Sequence, residues 1–201
     1  MRELALHLLD IAENSVAAQA KNITLTVKED LVNDRLRLVV QDDGKGMDAD
    51  MVARVVDPFV TSRTTRKVGL GIPLLKEAAE ACKGFLKIDS APGKGTTLTV
   101  EFQHSNIDRM PLGDVAGTVL SLVVAFPNIH WRLIYQVNQK TFEFDDQPVK
   151  EALEGISLTE PEVIGYLRNS LSEGISELFQ DQEIFNIIEQ ERNYAFRKES
   201  R

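Results

Sequence analysis

Apolar positions recur at three- and four-residue spacing over residues 3–20, at Leu4, Leu8, Ile11, Ala12, Ser15 and Val16, and this spacing predicts an amphipathic helix. Two β-rich runs follow, NITLTVKE (22–29) and RLRLVVQD (35–42). The polar segment DLVND joins them, so they predict a hairpin or neighbouring strands. Beyond a glycine-rich stretch, DADMVARVVDPF (48–59) predicts a short helix with Asp48 as its N-cap, stopped before Pro58. Residues 60–68, VTSRTTRKV, have no apolar period and read as a basic loop. GLGIPLLKEAAEACKG (69–84) reads as a glycine-entered helix with Pro73 in its first turn and Gly84 at the terminating position. FLKIDSA and TTLTVEFQ, separated by PGKG, complete a hairpin whose glycines permit the turn.

The order over residues 3–103 is helix, two strands, short helix, loop, helix, two strands. That order predicts a two-layer α/β (α+β) sandwich with a mixed sheet. A new pattern then starts. MPLGDVAGTVLSLVVAF (110–126) reads as a long apolar helix, and IHWRLIYQV with KTFEFD (129–145) as a hairpin about Asn138-Gln139. Two more helices are expected at 147–154 and 160–179. The second carries the stripe Leu167, Leu171, Ile175 and Leu178, expected to cover the C-terminal strands; if exposed, it would offer a partner a groove. The expected division is 1–104 as one domain and 105–201 as a small α/β extension. The tail 180–201 is charged, and the pattern leaves its order open.

Composition narrows the function classes. With 43% hydrophobic and 27% charged residues the chain can bury a core as an ordinary globular protein. A net charge of −8 argues against nucleic acid as a bulk partner. The single cysteine, Cys82, rules out an internal disulfide and is expected to be buried. MRELALHLLDIAEN lacks the uninterrupted core of a signal peptide, and no run reaches transmembrane length, so the expected location is cytoplasmic without a membrane partner. His104 and His130 have no ligand-spaced companions, and Trp131 is expected on a packed strand face.

Candidate chemistry concentrates in QDDGKGMDADM, residues 41–51. Gly44 and Gly46, straight after a strand, allow backbone to approach a ligand where a Cβ would clash. Asp42 ends the strand; its carboxylate disfavours phosphate but can accept from an amino group such as the exocyclic amine of adenine. A plain Asp-Gly turn is the competing reading. On the first helix Asp10 and Asn14 are four residues apart and share a face. An amide oxygen there could ligate Mg²⁺ while the acid orients a water. Arg63, Arg66 and Lys67 precede Gly69-Leu70-Gly71, whose amides would open a helix, a setting suited to phosphate.

Taken together, LLDIAENS (8–15), DDGKGM (42–47), DPFVTSR (57–63), VGLGIPL (68–74) and APGKGTTL (91–98) resemble, in order and spacing, the N, G1, F, G2 and G3 boxes of the GHKL ATPase superfamily. That superfamily includes histidine-kinase catalytic domains, anti-sigma kinases, gyrase and mismatch-repair ATPases. The resemblance covers residues 3–103 and implies the Bergerat fold, with ATP and Mg²⁺ as cofactors. It makes Asp42 the adenine acceptor, Gly44 and Gly46 the shapers of the purine slot, and Met47 a neighbour of the base. Asn14 becomes the Mg²⁺ ligand, Thr96 the threonine beside Asp42, and 60–68 a short lid. Gly69, Leu70 and Gly71 would hold phosphate, with Arg63 standing where many relatives have lysine.

Two departures bear on activity. Hydrolysing branches carry glutamate four residues before the asparagine, where this chain has the shorter Asp10; Glu13 is the runner-up base. Lys67 stands where the G2 box usually has another glycine. A sensor kinase is disfavoured, because no dimerising histidine helix precedes the box, and His7 reads as structural. The layout resembles stand-alone bacterial ATP-binding proteins of the histidine-kinase-like class, some associated with redox enzyme complexes, and it admits a homodimer. The expectation is a Mg-ATP-binding regulatory protein coupled to a protein partner, with weak or no hydrolysis. The alternatives are a GHKL-type serine or histidine kinase acting on a separate protein, and a degenerate scaffold.

Overall fold

The structure, a computed structural model, describes residues 3–57 and 71–180. Its elements run α1 (Leu4–Ala17), β1 (Asn22–Asp30), β2 (Arg35–Asp42), α2 (Ala49–Val55), α3 (Gly71–Ala81), β3 (Phe85–Ser90), β4 (Thr96–Gln103), α4 (Val115–Ala125), β5 (His130–Val137), β6 (Lys140–Asp145), α5 (Gln147–Ala152) and α6 (Pro161–Glu177). Among the described residues six strands form one mixed sheet in the order β3-β4-β2-β1-β5-β6. β1 and β5 are parallel, and the other neighbouring pairs are antiparallel. The expected loop 60–68 and all of the tail beyond Gln180 lie outside the described residues.

Strict alternation along the strands sorts the sheet into two faces. Ile23, Leu25 and Val27 of β1, Leu36, Leu38 and Val40 of β2, Leu98, Val100 and Phe102 of β4, and Trp131, Leu133 and Tyr135 of β5 are buried on one face. Helices α1, α3, α4 and α6 pack over it, making two layers with one core. The other face is polar, with cross-strand pairs such as Arg37 Nη2 to Glu101 Oε2 at 2.6 Å. Residues 129–145 form the expected hairpin about Asn138-Gln139, as β5 and β6, and this hairpin extends the same sheet. With the order β3-β4-β2-β1 alone, β1 would present an unpaired apolar edge; β5 covers it. Leu167, Leu171 and Leu178 of the expected stripe are buried, and α6 lies against α4 and β6.

Several boundaries differ from the pattern-based ones for identifiable reasons. The helix expected over 110–126 starts at Val115, because Met110–Asp114 has another task. Leu4 N–H donates to the Pro111 carbonyl at 3.0 Å and Ala5 N–H to that of Leu112 at 2.8 Å. Glu3, the N-cap of α1, makes no side-chain cap bond, so this connector satisfies first-turn donors that would otherwise be orphaned. Asp114 then caps α4, accepting from Gly117 N at 2.8 Å. Asp48 caps α2 as expected, accepting from Met51 N, although that helix ends at Val55. Helix α3 is described from Gly71, Gly69 and Leu70 lying outside the described residues, and it ends at Ala81. The left-handed residue after it is Lys83, with φ 56°. Gly84 helps end the helix, its amide donating to the Ala79 carbonyl at 2.8 Å, and it has a second constraint: a Cβ there would run into the Glu101 carbonyl of β4.

Buried Glu29, on the core side of β1, finds partners. Glu29 accepts from Tyr135 Oη at 2.7 Å and lies 2.7 Å from His104 Nε2, so His104 does have a carboxylate companion. Burial and the neighbouring Glu29 push the Tyr135 hydroxyl far upward. Cys82 is buried, and burial raises its thiol. No helix among the described residues is long and apolar enough to cross a membrane.

Gly84→Ala is expected to lower stability by about 1–3 kcal/mol through overpacking against backbone. Lys83→Gly should raise it by roughly 0.5–1 kcal/mol, since a left-handed penalty of about 1–2 kcal/mol is offset by glycine's entropy cost of about 0.5–1 kcal/mol. Urea midpoints at constant slope measure both. His7 is buried on α1, and burial lowers its imidazole below the ordinary 6.5, with Asp10 opposing. The unfolded chain therefore binds that proton more readily. This contribution is complete above pH 6.5 and is lost as pH falls below it. His7→Leu should flatten the decline in melting temperature between pH 7 and 5, and an unchanged slope would refute the assignment.

Candidate functional site

Where α1 crosses the end of β2, the layers part around a cavity of about 240 Å³. Its apolar walls include Ile11, Val40, Met47, Met51, Ile72 and Leu98, and Asn14, Ser15, Asp42, Lys45, Gly46 and Thr96 also line it. Asp42 is the last residue of β2 and occupies a core-facing position of the alternation, so its carboxylate is delivered to the cavity wall instead of to solvent. It is buried, and three donors hold it. Ser15 Oγ donates to Oδ2 at 2.6 Å, and the amides of Gly44 and Thr96 donate to Oδ1 at 2.8 and 3.2 Å. A carboxylate has about four acceptor positions, so one remains for a ligand donor.

The neighbouring loops are built around this group. Lys45 N–H donates to the Ala18 carbonyl at 3.0 Å, and the Lys45 carbonyl accepts from Gly93 N at 2.7 Å. Ser90 Oγ accepts from Met47 N at 2.8 Å and donates to the Gly95 carbonyl at 2.9 Å, with Thr96 Oγ1 3.0 Å away. Gly46 is left-handed at φ 67°, and a Cβ on it would run into the Ala91 carbonyl. That contact brings the 44–47 turn against the 91–96 turn.

The structure brings together Asn14, Asp42, Gly46, Met47 and Thr96 around one cavity. Gly44 stands behind them: its amide holds Asp42, and a Cβ would press on the Ala18 carbonyl. Gly71 is described, at the start of α3, but it does not line the cavity; Ile72 does. Asp10, half-buried, and Glu13, exposed, do not line it either. Arg63, Lys67, Gly69 and Leu70 lie outside the described residues. Sequence reasoning missed Ser15 as a polar partner by counting it with the apolar stripe of α1. The available signal was a hydroxyl at a buried helical position, which needs an acceptor. Ser90 and Lys45 were missed because their parts depend on which turns meet.

Gly46→Ala and Gly93→Ala separate sterics from conformation. Both glycines are left-handed, at φ 67° and 73°, but a Cβ on Gly93 meets nothing within 4 Å. Each is expected to lose about 1–2 kcal/mol from the left-handed backbone. Only Gly46→Ala should lose a further ~1–3 kcal/mol from overlap, and equal thermal destabilisation of the two would refute the tight turn-to-turn contact.

With this geometry in place, likeness to known proteins becomes informative. A family model described as histidine kinase-, DNA gyrase B-, and HSP90-like ATPase matches residues 1–106. The sensor protein kinase FleS of Pseudomonas aeruginosa is 40% identical over 92 residues, which cover 46% of this chain and 23% of that protein. The non-motile and phage-resistance protein of Caulobacter vibrioides is 32% identical over 110 residues, covering 49% of this chain and 13% of that protein. The chain thus spans less than a quarter of the length of these relatives. Among solved structures, the N-terminal domain of a DNA repair protein superposes with a TM-score of 0.54 at 15% identity, covering 71% of this chain and 52% of that one, a likeness of fold. Because the family model spans more than half of the residues, the chain belongs to the histidine kinase-, DNA gyrase B- and HSP90-like ATPase family, the GHKL superfamily.

Proposed function

We propose that this protein binds Mg-ATP in the α1–β2 cavity and uses the nucleotide to regulate a protein partner in the cytoplasm, with slow or no hydrolysis. The observation that carries the reading is the Asp42 carboxylate, buried in an apolar wall with one acceptor position left over. A purine amine matches that position, and the apolar residues of the lining suit an aromatic ring. Desolvation makes such a hydrogen bond selective, because a ligand lacking the donor leaves the carboxylate unpaired. The volume, about 240 Å³, is below the roughly 300 Å³ at which pockets for whole drug-sized ligands begin. It therefore suits the base, with the phosphates directed outward past Asn14.

The residues present also suit the metal. Asn14 is exposed at the cavity and offers a neutral amide oxygen of the kind that Mg²⁺ accepts beside phosphate. The ion would neutralise phosphate charge there. Asp10 stands four residues before Asn14 with a side chain one methylene shorter than glutamate, which supports binding with little turnover over fast hydrolysis. The formed cavity and its engaged acid speak against a scaffold without ligand. The 40% identity to a sensor kinase keeps a second reading, phosphate transfer to a separate protein. Labelled ATP incubated with a candidate acceptor distinguishes it: transfer dependent on Asp42 would establish a kinase.

Calorimetric titration with ATP, with and without Mg²⁺, tests the main reading. Wild type should bind in a Mg²⁺-dependent manner, and ATP at a hundredfold excess over Kd should add about 2.7 kcal/mol of stability. Asp42→Asn should abolish measurable binding, because an amide nitrogen would face the purine amine. Asn14→Ala should remove the Mg²⁺ dependence. Ser15→Ala is expected to weaken binding about tenfold, equivalent to ~1.4 kcal/mol. Equal ATP affinity in wild type and Asp42→Asn would sink the assignment.

A further inference from the structure

The last residue of β2 and the residue after it face opposite sides of the sheet. Asp42 enters the cavity, whereas Asp43 turns to the polar face and is tied there by three donors. These are the amides of Lys21 and Asn22, at 2.7 and 2.9 Å from Oδ1, and Asn22 Nδ2, 2.6 Å from Oδ2. The Asn22 amide is thereby oriented, with its Oδ1 turned to His130 Nδ1 at 3.1 Å. His130 Nε2 lies 2.8 Å from Asp145 Oδ1 on β6, and the same oxygen accepts from Gln147 N, the first amide of α5, at 2.9 Å. Asp43, Asn22, His130 and Asp145 thus form one line of polar contacts across the ends of β2, β1, β5 and β6, in which the His130 ring faces an acceptor on each side. Strand register places them together: Asn22 pairs with His130, and Ile23 with Asp42.

Burial pushes the carboxyls of Asp43 and Asp145 up, and their hydrogen bonds more than offset this, holding both below the usual range. His130, Asp145 and Asp146 approach closely enough for a metal, with candidate ligand atoms within 4.8 Å of one another. That grouping corrects the expectation that His130 lacks companions. Each acid is nevertheless engaged: Asp146 accepts from Trp131 N at 3.0 Å and pairs with Lys150 Nζ at 2.6 Å, so an ammonium already supplies the cation. The group serves as a joint. It fastens the start of α5 to β5 and, through Asn22, to the strand end that aims Asp42.

We propose that Asn22 and His130 are positioning residues that couple the Asp42 corner to α5, so that nucleotide bound against Asp42 orders residues 145–153 and order there tightens the nucleotide. The proposal rests on the reading of the cavity as a nucleotide site. Linkage requires reciprocity: the factor by which order in α5 tightens nucleotide at Asp42 equals the factor by which bound nucleotide favours order in α5.

Amide hydrogen exchange on the full chain tests it. In wild type, saturating Mg-ATP is expected to slow exchange across 145–153 about fivefold, the low end of allosteric couplings. Asn22→Leu should abolish that response and weaken ATP about fivefold, while core amides of β1 and β2 stay protected. His130→Gln should do the same, and the double variant should be no weaker than either single one, because both cut one line. The ring ¹⁵N resonances of His130 should move on ATP addition in wild type but not in Asn22→Leu. Asp145→Asn, at an exposed position, serves as the second cut if Asn22→Leu does not fold. Wild-type ATP affinity with an intact α5 response in these variants would overturn the proposal. If wild type binds no ATP, the nucleotide reading fails by itself, and the line is judged without ligand: Asn22→Leu should then speed exchange of the Gly44 and Gln147 amides together, and an unchanged Gly44 would overturn it.

Discussion

Strand β1 is hydrogen-bonded on both sides, antiparallel to β2 and parallel to β5, and the rest of the molecule depends on that double pairing. Register follows from parity. A one-residue slip would turn Ile23, Leu25 and Val27 to the polar face, so the hydrophobic alternation locks the pairing. Once locked, Ile23 sits between Asp42 and Trp131, and the start of β1, the end of β2 and the start of β5 share one end of the sheet. The cavity and the joint to α5 are consequences of that alignment.

At the cavity the decisive balance lies between burial and hydrogen bonding. A carboxylate removed from water is costly unless its oxygens are met by donors. Asp42 meets three, from a helix, a turn and a strand, so its position reports on three elements at once. The tight packing of the 44–47 and 91–96 turns keeps those donors in place, and Gly46 at the contact lets two backbones approach where any side chain would separate them. Apolar walls around the remaining acceptor position then turn one hydrogen bond into discrimination among ligands.

Much of the architecture was legible in the chain. The spacing of Leu4, Leu8 and Ile11, the alternation from Ile23 to Val27 and from Leu36 to Val40, and the Asp48 cap marked α1, β1, β2 and the start of α2 within a few residues, because these signals are local. Met110–Asp114 was misread as helix because its apolar residues run into those of α4, although Pro111 and Gly113 suit a helix poorly; its carbonyls are drawn to the open first turn of α1. Gly84 was legible as a helix stop, but not that its missing side chain also answers to β4, seventeen positions along the chain.

The same division separates the two aspects of the site. The sequence by itself determined the kinds of group available: a carboxylate and two glycines after a strand, an asparagine on a helix, a threonine after a glycine pair, in an order that marks the family. Those properties depend on residue type and spacing along one dimension. Only the tertiary structure decided that Ser15 braces Asp42, that Asp10 and Glu13 stand back from the cavity, that β5 closes the edge of β1, and that Asn22 and His130 link Asp43 to α5. Each of these is set by which side chains meet across strands and layers, and a buried acceptor takes whichever donor the packing brings within about 3 Å of it.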